Sequence, residues 1–160
     1  MARWWALAVA VLVLAGLGRS VVAQVPVSFP TSHLDIASAS GAVHGFTVEL
    51  ATSHEQLAQG LMYRRSLAPE AGMLFDFGQI ETAHMWMKNT LIPLDMVFIA
   101  ADGLVVGVAE RTVPQSLAVI SSPAPILAVL ELNGGTAERL GIRAGDRVRH
   151  PLFPEHAPGN

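Results

Sequence analysis

The chain has 160 residues, with 10 Lys and Arg against 13 Asp and Glu and a formal net charge of −3 at neutral pH. Such an acidic balance supplies no electrostatic footprint for a phosphate backbone, which argues against nucleic acid as a partner. There is no cysteine, so disulfides, thiolate nucleophiles, cysteine-based metal centres and lipid attachment through cysteine are excluded, and stability rests on the core alone.

The N-terminal stretch has the three parts of a secretory signal. Arg3 gives a short basic region, Trp4 to Leu17 an uncharged apolar run, and Val21-Val22-Ala23 small residues for cleavage after Ala23. The apolar run is shorter than the roughly 20 residues that cross a bilayer as a helix, so a retained anchor is the weaker alternative. Removal of residues 1–23 takes Arg3 and Arg19 with it and leaves 137 residues with a net charge of −5. That length suits one core and contains no further spanning segment, so the expected product is periplasmic or secreted.

Residues 24–43 are rich in Pro, Ser, Thr and Ala and read as a linker, with an edge strand as the alternative over 33–37. The domain proper is expected over 44–150. Phe46, Val48 and Leu50 alternate with polar or small neighbours, the period of a half-buried strand. Thr52 and Glu55 have capping-box spacing and predict the one main helix, over 53–64. Arg64 would then share the Leu57 and Leu61 face, and an inward guanidinium needs a carboxylate. Gly60 lowers the helix propensity there but lets another part of the chain come close.

Two strands are expected at 72–77 and 82–90. Asp102-Gly103 predicts a two-residue hairpin joining strands at 94–100 and 104–110, a register that sets Asp95 opposite Glu110. A nearly continuous apolar strand follows at 126–132, then a short C-terminal helix at 136–140 that Gly141 ends. A turn at 145–148 leads into a last strand, and residues 151–160, with three prolines, read as a disordered tail.

Several blocks in this order resemble the DUF192 family: Gly60-Leu61-Met62-Tyr63-Arg64, Gly72-Met73-Leu74-Phe75, Trp86-Met87-Lys88-Asn89-Thr90 with Pro93-Leu94-Asp95, and Val129-Leu130-Glu131-Leu132 with Gly141-Ile142 and Gly145-Asp146. The likeness runs from about Phe46 to Val148. It implies a compact α+β domain, often exported in bacteria and archaea, and no particular activity. The run from Leu140 to Val148 is also similar to the Gly-Asp box of small cradle-like β-barrels. The expected fold is therefore strand-rich α+β, a partly barrel-like, mainly antiparallel sheet with one main helix and a short C-terminal helix.

Three constellations could carry chemistry. Arg64, Asp95 and Glu131, with Lys88, are charges set in or beside apolar segments, where each needs a partner. They form either a structural ion-pair network or, with Trp86 and Asn89, a polar cleft for a small ligand. Asp95 with Glu131 or Glu110 could instead act as an acid/base carboxylate pair. His84, Met85 and Met87 are soft donors suited to Cu(I), although a strand splits them between its faces.

The zinc-protease helix, nucleophile-elbow and phosphate-loop motifs are absent. The leading expectation is a non-catalytic ligand-binding or interaction domain of the cell envelope that needs no cofactor. Its partner would be a small molecule or an envelope protein. The runners-up are a paired-carboxylate enzyme and a periplasmic Cu(I) carrier.

Overall fold

A computed structural model describes residues 27–154. The expected signal peptide at 1–23 and residues 155–160 lie outside the described residues. Among the described residues, nine strands and two short helices follow one another as β1 (Thr31–Ala37), β2 (Val43–Ala51), α1 (His54–Gln59), β3 (Ala71–Glu81), β4 (His84–Met85), β5 (Leu94–Ile99), β6 (Val105–Thr112), β7 (Ile120–Ser121), β8 (Ile126–Asn133), α2 (Thr136–Leu140) and β9 (Arg147–Arg149).

Seven strands form one sheet in the order β6-β5-β8-β3-β2-β1-β9, while β4 and β7 pair separately. All of the large sheet's pairings are antiparallel except β2 with β3, which α1 connects as a crossover. The sheet curls until the turn before β6 touches β9 at a single bridge. Leu104 bridges Arg147, and the amide of Val105 donates to the Asp146 carbonyl at 2.8 Å. The result is a half-barrel.

Period-two side chains give this sheet two apolar faces. One cluster draws Leu34, Ile36, Phe46, Val48, Leu74, Val97, Val105, Leu130 and Val148 from all seven strands, and so fills the concave interior. Ala137 and Ile142, at the two ends of α2, close into it. The other cluster covers the convex face. There Met73, Phe75, Met96, Phe98 and Val129 lie beneath Leu57 of α1, Leu61 and Met87.

Several expectations are corrected. Neither helix is a main helix: α1 has six residues and α2 five. Ser53, not Thr52, caps α1, accepting from the Gln56 amide, and the Gln56 side chain completes the box. Helix α1 stops at Gly60 because that residue turns to φ +48, and a side chain there would meet the Phe75 ring at 2.9 Å. The strand expected at 82–90 shrinks to β4, because Asn89 at φ +57 turns the chain.

The expected linker contains β1, and β9 rather than β1 forms the sheet edge beyond it. Within the expected tail, Phe153 is buried in the concave cluster. The hairpin holds three loop residues, with Ala100 rather than Ala101 paired to Leu104 and Gly103 at φ +83. A first register shift restores the expected pairing at Met96 to Phe98, and a second removes it at Asp95.

Candidate functional site

Cross-strand neighbours share a face of a sheet, so the register defines a row on the convex side: Glu49, Met73, Glu131, Met96 and Ala109. Glu131 stands in the middle of it, flanked by two methionines, and is only 4% exposed. Among the described residues, no hydrogen-bond donor or cation pairs with the Glu131 carboxyl, which opens onto a cavity of about 220 Å³. Burial alone pushes its pKa from 4.5 up to about 8, because the low-dielectric surroundings disfavour the charged form.

The cavity lies between α1 and the convex face. Leu57, Leu61 and Met62 form one wall, Phe75 and Phe77 of β3 another, and Met85, Trp86 and Lys88 the mouth. Trp86 is 53% exposed, and the Lys88 ammonium sits 6.0 Å from its ring centroid. The alternation expected for this segment holds. Met85 and Met87 turn inward, while His84, Trp86 and Lys88 turn outward.

Of the six expected ligand-binding residues, the fold therefore brings Trp86, Lys88 and Glu131 together at one cavity. The other three go elsewhere. Arg64 makes a bidentate ion pair with Glu49, its Nη1 donating at 2.9 Å. Asn89 lines no part of the cavity; its carbonyl accepts from the Tyr63 amide, and its side chain lies 3.8 Å from the Met62 sulfur.

Asp95 belongs to the opposite face, because its register partner is Leu132, the neighbour of Glu131. Its carboxylate is saturated by backbone amides. Oδ1 accepts from Arg111 at 2.7 Å and Gly135 at 3.0 Å, and Oδ2 accepts from Ala137 at 2.8 Å. Because the N-cap of α2 is a glycine with no capping side chain, Asp95 supplies that cap from a neighbouring strand.

This arrangement corrects the remaining site expectations. Asp95 and Glu131 lie on opposite faces and cannot share a proton or flank a substrate. Asp95 does not confront the Glu110 carboxylate either, because the bulge at 110–111 presents the Arg111 amide to it instead. The copper trio does not assemble: Met87 is fully buried with its sulfur accepting from Thr112 Oγ1 at 3.1 Å, and the exposed His84 bonds Ser121. Asp146, in the Gly-Asp box, ties Ala39 and Arg143 amides to the last turn. The walls Leu57, Met62, Phe75 and Phe77 carried no signal of their own in the sequence, since each reads as ordinary core.

Fold and cavity together define a small strand-rich half-barrel domain whose convex face, roofed by a short helix and loops, encloses one buried acid. The chain belongs to the DUF192 family, described as Uncharacterized ACR, whose model matches residues 36–150. No curated protein matches it.

Several solved structures are similar, among them the following two. One, from Sinorhizobium meliloti 1021 and described as a proposed transcription regulator, is 50% identical with a TM-score of 0.78, covering 80% of this chain and 99% of that one. The other, a protein of unknown function from Novosphingobium aromaticivorans DSM 12444, is 41% identical with a TM-score of 0.72, covering 75% of this chain and 85% of that one.

Proposed function

We propose that the protein is an exported, non-catalytic small-ligand-binding domain of the cell envelope, with the cavity under α1 as its site. The observation that carries this reading is Glu131. An acid largely withdrawn from water normally has a hydrogen-bond partner or a counter-charge from the protein, and among the described residues Glu131 has neither. A carboxyl kept without a partner at an apolar cavity, open through an exposed tryptophan, is accounted for by a ligand that completes it. Export rests on the N-terminal signal features of the sequence.

The regulator description of the relative from S. meliloti favours no DNA-binding role for this chain. Its helices among the described residues have six and five residues, and the chain is acidic. A thermal-shift screen of small amines, acids, sugars and peptides tests the binding reading. The expected result is a hit whose stabilisation is lost in Glu131→Gln. Hits that persist unchanged in Glu131→Gln and in Leu61→Trp, which fills the cavity, would refute this site.

A further inference from the structure

We propose that the cavity receives an organic cation, a protonated amine carried on a short apolar or aromatic body, with Glu131 as its counter-charge. This rests on the binding reading above and names the ligand class. The argument is one of complementarity. Among the described residues lining the cavity, the charge-capable groups are Glu131 on the floor and His84 and Lys88 at the mouth.

His84 and Lys88 are exposed, and Lys88 already faces the Trp86 ring, so neither offers a buried counter-charge to an anion. Arg64 lines no part of the cavity and is committed to Glu49, the other acid in the same row of the sheet. The α1 wall contributes Leu57, Ala58 and Gln59, and β3 contributes Phe75 and Phe77, with no ionisable group. An anion would thus find an acid at the floor and no buried cation. An ammonium brings positive charge and three donors to a carboxyl that has no protein cation or donor beside it.

Aromatic surfaces at Phe75, Phe77 and Trp86 suit both the cation and an apolar stem. The volume of about 220 Å³ lies below the roughly 300–1,000 Å³ of pockets for drug-sized ligands, so the body is small. Burial keeps the carboxyl protonated in the empty site at neutral pH. An entering ammonium therefore expels that proton to solvent: the Glu131 O–H bond breaks, a carboxylate–ammonium pair forms, and the net charge of the protein with its ligand equals that of the empty protein. Binding must then tighten about ninefold from pH 6 to 7 and about fivefold from pH 7 to 8.

Isothermal titration of the full chain with benzylamine, benzyl alcohol and phenylacetate at pH 6, 7 and 8 tests this, with released protons followed by a pH indicator in weakly buffered solution. Benzylamine is expected to bind best, to tighten about ninefold from pH 6 to 7 and about fivefold from pH 7 to 8, and to release close to one proton at pH 7. Glu131→Gln is expected to abolish the proton release and the pH slope, whereas a response arising from His84 or Lys88 would survive it. Binding of phenylacetate or benzyl alcohol at least as tight as benzylamine would overturn the ligand class and leave the binding site standing. Failure of all three probes to bind would count against both.

Discussion

Replacing Glu131 by Gln is expected to stabilise the protein, by an amount that depends on pH in a defined way. Glutamine keeps the shape of the side chain but cannot ionise. The wild-type carboxyl has its pKa raised from 4.5 to about 8 by burial, so between those values the folded chain holds a proton that the unfolded chain has lost. The sign follows: no penalty below pH 4.5, a penalty growing by about 1.4 kcal/mol per pH unit above it, and a plateau above pH 8. The advantage of Glu131→Gln over wild type is thus close to zero at pH 4, about 3 kcal/mol at pH 7 and about 5 kcal/mol at pH 9. Urea denaturation of both proteins at the three pH values measures it. A difference that stays constant across the range, or a wild type that is the more stable at pH 9, would refute the desolvated, unpaired carboxyl.

Three further outcomes follow from the same geometry. Asp95→Ala leaves the buried amide of Ala137 and the part-buried amides of Arg111 and Gly135 without their acceptor and is expected to cost about 2–4 kcal/mol, with faster hydrogen exchange at Gly135 and Ala137; a loss below about 1 kcal/mol would show the cap to be dispensable. Gly60→Ala places a methyl group at φ +48, 2.9 Å from Phe75, and is expected to lower stability by about 1–3 kcal/mol in denaturant titrations. Arg64→Ala breaks an ion pair whose side chains are 33% and 26% exposed, so about 1 kcal/mol is expected, with ligand binding unchanged; loss of binding in that variant would return Arg64 to the site.

What the sequence made legible was whatever depends on local periodicity. Phe46 and Val48 lie on the concave face as their alternation implied, and Gly141 ends α2 at φ +70. The inward and outward split of Met85, Met87, Trp86 and Lys88 was readable although most of that segment is not strand. What failed depends on contacts distant in sequence. Helical periodicity carried Arg64 past Gly60, because nothing local announces the Phe75 ring that ends the helix.

Asp95 looked like a charge in search of an ionic partner. Its partners are backbone amides from residues 111, 135 and 137, which no side-chain pattern displays. The glycine-only start of α2 was the available hint, since a helix without a capping side chain must find its acceptor elsewhere. Glu131 was recognisable as an acid in a central apolar strand. Its lack of any partner emerges only once the sheet register seats it between Met73 and Met96.

The whole account turns on the ionisation of a single side chain, which carbon-detected NMR of the Glu131 carboxyl reads directly across a pH titration of the free protein. A midpoint close to 8 is the expected result. A midpoint near 4.5 would mean that the carboxylate is solvated or paired, and would contradict the account.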